Sequence, residues 1–249
     1  MATVSLHLSQ DAEADALLSR DAVALLIGMV LDQQIPLEWA FAGPAELSRR
    51  LGGRLDPHAI AAMDPGALAT VFAQRPALHR YPGSMAERVR QLCAAVVDDY
   101  GGHADRVWTE AASGDDLVRR VKALPGFGDQ KARIFTALVG KQLGVRPAGW
   151  RQACSPYGQP GTFLSVADIT DEQSLAKVRD TKQQLKAAAT VAGSTATTKP
   201  ARTTKPARTT KPARTTTATA APAQLTAGVA GQQPDPPGGG ADVSKRPRV

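Results

Sequence analysis

Cysteine is nearly absent from this chain. There are two, Cys93 and Cys154, and neither belongs to a Cys-x-x-Cys pair or a Cys/His cluster. That spacing excludes zinc or iron–sulfur sites of ordinary pattern, so neither a metal nor another cofactor is expected. Cys93 lies in the apolar stretch QLCAAVV and reads as a core residue; one disulfide stays open as an alternative. Long hydrophobic runs are also lacking. The longest, Ala22 to Leu31, has 10 residues, against the roughly 20 needed to cross a bilayer. The opening MATVSLHLSQDAEAD has no basic segment followed by an apolar one, so it does not read as a signal peptide. A soluble, cytoplasmic protein with no membrane partner is expected. Aromatic residues are few (3 Trp, 3 Tyr, 5 Phe), so each one near a cleft counts.

Net charge is lacking too, until the chain is cut. Residues 1–189 carry 21 basic and 21 acidic residues, whereas 190–249 carry 9 and 2. The whole formal charge of +7 therefore belongs to the last part. There the hexamer KPARTT occurs three times between 199 and 216, among Thr, Ala, Pro, Gly and Gln. Such a segment has too little apolar surface to offset its ordering entropy. The reading is a folded domain over 1–189 and a disordered basic tail over 190–249. The tail is either a solubiliser or an electrostatic tether to a polyanion, DNA first among the candidates.

Within 1–189 the pattern is helical almost throughout, which makes the expected fold class all-α. Residues 3–8 alternate and fit a short strand or an extended arm. Ser9 is the expected N-cap of a helix over 10–19, and Asp21 of one over 22–34 that is apolar on nearly every face. Pro36 starts a further helix and Pro44 restarts another, which ends at Gly52-Gly53. Asp56-Pro57 and Asp64-Pro65 each read as a cap followed by proline at the first helical position. After a loop over 74–83, Ser84 caps a long amphipathic helix ending at Gly101-Gly102. Shorter helices are expected at 105–112, 115–123 and 129–143, and a last one over 171–189 capped by Asp171.

The strongest local signal is Leu124-Pro125-Gly126-Phe127-Gly128-Asp129-Gln130-Lys131-Ala132-Arg133. An amphipathic helix carrying Leu117, Val118, Val121 and Leu124 runs into a Pro-Gly-Phe-Gly turn, and a second helix begins near Asp129. This is the pattern of a helix-hairpin-helix. Glycines let the backbone turn sharply and approach a phosphate. The unpaired amides and dipole at the start of the second helix favour an anion. Phe127 is the apolar pin between the helices, and Lys131 and Arg133 can add phosphate contacts. None of these groups reads bases, so sequence-independent binding of double-stranded DNA is implied.

The hairpin resembles that of the helix-hairpin-helix base-excision DNA glycosylases, the superfamily of endonuclease III and 3-methyladenine DNA glycosylase. A second segment agrees: Ala24 to Ile35 resembles that family's first core helix, which ends in a glutamine pair, here Gln33-Gln34. Together the segments span about 20–145, and the closest likeness is to small bacterial proteins assigned to the base-excision-repair type of the superfamily. The resemblance implies a two-lobed all-α fold, with Gly126 and Gly128 presenting amides to the DNA backbone; a monomer is expected. Gln34 would fill the gap left by an extruded nucleotide, since the glycosidic bond cannot be reached inside the stack.

The catalytic groups match less well. Relatives carry an aspartate downstream of the hairpin; the corresponding stretch here, 144–150, has no acid. Relatives with lyase activity have a lysine where this chain has Gln130, and Lys131 falls one residue later, about 100° around the helix. Lyase chemistry is therefore not expected. Asp168 and Asp32 are the substitute acids for stabilising an oxocarbenium-like state. Trp39, Trp150 and Tyr157 are the candidates to stack on an extruded base, and the loop His79-Arg80-Tyr81 is a further candidate to touch the backbone. The leading expectation is a monofunctional DNA N-glycosylase. The alternatives are a non-catalytic DNA-damage or DNA-structure binder of the same fold and a nucleoid-associated protein.

Overall fold

The computed structural model describes residues 5–195, with side chains as far as Ala188; the basic repeats lie outside the described residues. Among those described there are eleven α-helices, one 3-10 turn and no strand. Helix α1 is Ala12–Arg20, α2 Ala22–Leu31, α3 Leu37–Arg50, α4 Pro57–Ala62, α5 Pro65–Ala73 and α6 Pro82–Tyr100. They are followed by α7 Arg106–Thr109, α8 Gly114–Ala123, α9 Asp129–Lys141, α10 Trp150–Ala153, the 3-10 turn Val166–Asp168 and α11 Glu172–Thr195. No described helix is long and apolar enough to cross a membrane.

The caps explain most of these boundaries. Asp21 accepts from the amides of Val23 and Ala24, Asp56 from His58, and Asp64 from Ala67, each removing an orphan donor at a helix start. Asp171 does the same for Ser174 at the start of α11. Residues Ser5 to Leu8 form an arm and not a strand. Leu6 and Leu8 are fully buried, and their amides bond to Ser19 Oγ and Asp15 Oδ1 of α1.

Several boundaries differ from the sequence reading. Helix α7 stops at Thr109 and not at 112, and α11 runs to Thr195, past the expected limit of helix and folded domain at 189. Asp11, not Ser9, caps α1, because the Ser9 hydroxyl is held by the Asp15 carboxylate. Pro44 lies inside α3 and does not divide it; Pro44 is buried and Leu31 packs against the preceding Gly43, so tertiary packing overrides the missing donor. Ser84 sits in the first turn of α6, which starts at Pro82. Helix α2 stops at Leu31, three residues early, for a reason that bears on the site.

Helix α2 is the centre of the core, with nine of its ten residues buried. Helix α3 packs on it, α6 lies alongside, and α4 and α5 cover α6. The later elements form their own group, in which α8 and α9 are antiparallel neighbours, α10 wedges against both, and the 3-10 turn rests on α9. Gly140 is what admits α10: a Cβ there would lie 2.5 Å from the Trp150 ring. Trp108 and Phe127 both contact the Phe135 ring, at 5.4 and 5.9 Å between centroids. Both cysteines are free and buried, and burial pushes the Cys93 thiol up to about 12.

Candidate nucleic-acid interface

The hairpin forms where the sequence places it. Helix α8 buries Leu117 and Val121 and ends at Leu124, whose carbonyl accepts from Phe127 N at 3.1 Å. The two glycines then do different things. Gly126 has φ +90° and is pressed against the body: a Cβ would lie 3.0 Å from Val30 Cγ2 and 3.1 Å from Arg88 Cδ. It seats the turn on α2 and α6, while Gly126 itself is half-buried and its amide has no acceptor among the described residues. Gly128 is exposed, and a Cβ there would meet nothing within 4 Å. It is the N-cap of α9 and offers no side-chain cap. The first bond of the helix is Ala132 N to Gly128 O at 2.9 Å. The amides of Asp129, Gln130 and Lys131 therefore have no acceptor among the described residues.

The side chains around that helix start are arranged differently from the sequence reading. Lys131 turns inward and donates through Nζ to the carbonyls of Met29 and Val30. It thus caps the carboxyl end of α2, where a cation complements the helix dipole, and it does not reach outward to a phosphate. Burial pushes its pKa down to about 8, with Asp32 opposing and Arg88 adding to the fall. Arg133 is also committed, to Asp129 Oδ2 at 2.9 Å and the Ala153 carbonyl at 3.2 Å. Asp129, at the mouth of the free amides, is bonded by Arg133 and by Lys122 at 3.3 Å; these bonds hold its carboxyl below the usual range. Gln130 is exposed and donates to the Tyr157 hydroxyl at 3.0 Å.

Beside the hairpin, the end of α2 is the second half of the face. Asp32 has φ −68°, ψ 71°, and Gln33 N bonds back to Leu31 O at 2.6 Å. That is an inverse γ-turn, and it ends the helix before the glutamines. Gln33 is then locked in place. Its Nε2 donates to Val30 O at 2.6 Å, its Oε1 accepts from Arg88 at 2.9 Å, and its carbonyl accepts from His79 Nε2 at 2.8 Å. His79 is buried, and its Nδ1 accepts from Tyr81 N at 3.0 Å, which leaves the proton on Nε2. The 79–81 loop is thereby docked on the glutamine turn. Gln34 is the opposite case: exposed, at φ +56°, with no side-chain hydrogen bond among the described residues. A non-glycine residue in this left-handed region is uncommon and concentrates at functional sites.

The two candidate acids part company. Asp32 is half-buried, and no hydrogen bond reaches its carboxylate among the described residues. Burial pushes its pKa up, Lys182 and Lys131 oppose that, and Glu38 adds to the rise. Lys182 comes from α11, whose Arg179 pairs with Glu38 of α3. Asp168 is buried and spent. One oxygen binds Lys141 Nζ, and the other accepts from the amides of Leu164 and Ser165 in a capping box. Both of its oxygens are engaged by the fold.

The stacking candidates are also reassigned. Trp150 is 6% exposed, with Gly140 against its ring and the Arg151 guanidinium 4.6 Å from its centroid, so it packs the interior. Trp39 is 39% exposed and lines a groove with Ala14 of α1 and Leu78, not the turn of Asp32. Tyr157 is half-buried with its hydroxyl on Gln130. The exposed aromatic next to the glutamine turn is Tyr81, 45% exposed with Arg80 at 4.9 Å from its ring. Arg88 and Lys182 were invisible in the sequence, because each reaches the site from a helix without any motif. Among the described residues, no group of three or more His, Cys, Asp or Glu could hold a metal ion. Comparison of the chain with protein-family models, curated proteins and solved structures finds no match.

Proposed function

We propose that this chain binds double-stranded DNA and acts as a monofunctional DNA N-glycosylase on a damaged or mismatched base. In this reading α1–α6 and α7–α11 are the two lobes of a helix-hairpin-helix glycosylase fold. One observation carries it: Lys131 and Gly126 fasten the hairpin to the carboxyl end of α2. The open amides of α9 and the free side chain of Gln34 then belong to one rigid face. The amides grip phosphates without reading sequence, and Gln34 enters the stack from a fixed distance to hold an extruded nucleotide out.

The chemistry falls to Asp32. As the sugar–base bond breaks, its electron pair leaves with the base nitrogen and positive charge develops on the sugar. An ionised carboxylate stabilises that charge; water then adds to the sugar carbon, and the proton it gives up is balanced by the one the released base nitrogen takes from solvent. Lys131 and Lys182 help keep Asp32 ionised against its burial. A lysine adduct with the sugar has no support, because the Lys131 amine is held on two backbone carbonyls.

The test is a base-release assay of the full chain on duplexes bearing uracil, alkylated purines, oxidised guanine or mismatches, with alkali to reveal abasic sites. Release from one of them, lost in Asp32→Asn, is expected. Gln34→Ala should weaken binding to the lesion duplex several-fold more than to single strands; equal losses would remove the wedge. A second reading, a non-catalytic binder of damaged or distorted DNA, is favoured by the acid-free stretch 144–150 and by the burial of Asp32. Binding without release from any duplex would establish it instead.

A further inference from the structure

At the far end of α9 a cavity of about 300 Å³ opens between α9, α10 and the 3-10 turn. It has no part in the proposed DNA face. Its charge is one-sided. Asp168 is the one carboxylate in its wall, and Lys141 and two backbone amides already occupy both of its oxygens. Two guanidinium groups are left over. Arg146 is anchored through Nε on the Gly140 carbonyl at 2.9 Å, which frees both Nη groups. The Arg151 guanidinium carbon lies 4.6 Å from the Trp150 ring centroid, a contact that leaves its N–H groups for an acceptor. Phe163 and Pro160 supply an apolar wall, and the Lys177 ammonium, 4.8 Å from the Phe163 ring centroid, adds a further cation beside it.

The geometry points to a binding site for a phosphate monoester carrying a single flat group, about the size of a nucleoside 5′-monophosphate. Two guanidinium groups with N–H donors to spare, both lining the cavity, match a dianion by charge-assisted hydrogen bonding. The apolar wall takes the flat group. The volume, about 300 Å³, is at the lower end of the range for small-molecule sites, about 300 to 1,000 Å³, which suits one nucleotide unit, with anything longer left outside the mouth. The same chemistry is offered by a free mononucleotide and by the 5′-phosphorylated end of a strand.

Calorimetric titration of the full chain tests this. Thymidine 5′-monophosphate is expected to bind with one-to-one stoichiometry, at least 10-fold tighter than thymidine, inorganic phosphate or benzoate. Arg146→Gln and Arg151→Gln are each expected to weaken it 10-fold or more, as loss of a charged hydrogen bond does. Pro160→Glu, at an exposed position of the lining, adds a carboxylate to the mouth and should weaken it similarly. It decides the matter if an arginine variant unfolds. A short oligonucleotide with a 5′-phosphate that binds above its 5′-hydroxyl counterpart, with the same variant losses, identifies a strand end as the source; the mononucleotide alone identifies the free ligand. Binding unchanged by all three substitutions, or benzoate as tight as the monophosphate, overturns the proposal. None of these outcomes depends on base release, so the site and the glycosylase reading fail separately.

Discussion

The two ends of α9 are built on opposite principles. At its carboxyl end, Lys141, Gln142, Ser165 and Asp168 satisfy one another: Gln142 alone donates to three carbonyls, those of Val166, Ala167 and Ile169. At its amino end, three amides, the Asp32 carboxylate and the Gln34 amide have no hydrogen-bond partner among the described residues. These groups are exposed or half-buried, so water can satisfy them, and the same exposure leaves them open to a ligand. The carboxyl end is finished by its own side chains except at Arg146 and Arg151; the amino end is open to solvent.

The largest expected effect tests the finished end. Asp168→Asn leaves Lys141 without its partner and should cost about 3 kcal/mol in urea unfolding. Asp32→Asn should cost less than about 1 kcal/mol or even stabilise. Its pKa is raised on folding, so its contribution to stability is greatest at low pH and is lost as pH rises through the folded value. In base release the order reverses. Asp32→Asn should lose on the order of 100-fold or more, and the native chain should lose activity on acidification at a pH above the ordinary carboxylate value of 3.8. An Asp168→Asn protein that folds normally and has lost release as Asp32→Asn does would invert the comparison.

The glycines give the next largest difference. Gly126→Ala strains a left-handed backbone and crowds Val30 and Arg88, at about 1–3 kcal/mol. Gly128→Ala should cost under about 1 kcal/mol, because its φ of −89° suits any residue. Its effect should be seen in DNA affinity instead, through a methyl group on the open side. The smallest effect is that of Asp129→Asn. It removes an anion from the phosphate site and releases Lys122 and Arg133, so DNA affinity should rise a few-fold and its dependence on salt should steepen. Unchanged affinity would mean that the phosphate does not sit at this helix start.

What could be read from the sequence was whatever a few consecutive residues decide. The caps at Asp21, Asp56 and Asp64 bond two or three residues away, and the α8–turn–α9 hairpin is bounded within two residues of its expected limits. What could not be read was whatever a distant contact decides. Lys131 faces a helix about a hundred residues earlier in the chain, so its spacing on α9 said where it pointed but not what it would meet. Asp168 looked like any acid after a loop until the amides of Leu164 and Ser165 and the amine of Lys141 closed around it. The early end of α2 is a different failure. An inverse γ-turn at Asp32 carries no residue signature, so the glutamine pair read as the end of a helix when it is the turn beyond it.

The length of α9 has a consequence of its own. Thirteen residues at 1.5 Å each make a rod of roughly 20 Å, stiffened along its whole length by the packing of α8 and α10. A duplex seated on the amides at one end and a small phosphorylated molecule at the other would be too far apart to compete for space and would be linked by an element with no hinge. Saturating either site should leave the other's affinity unchanged, a coupling free energy of about zero. Any measured dependence between them would have to be a rigid-body shift of the helix, with Lys131 at one end and Lys141 at the other as the first bonds to give way.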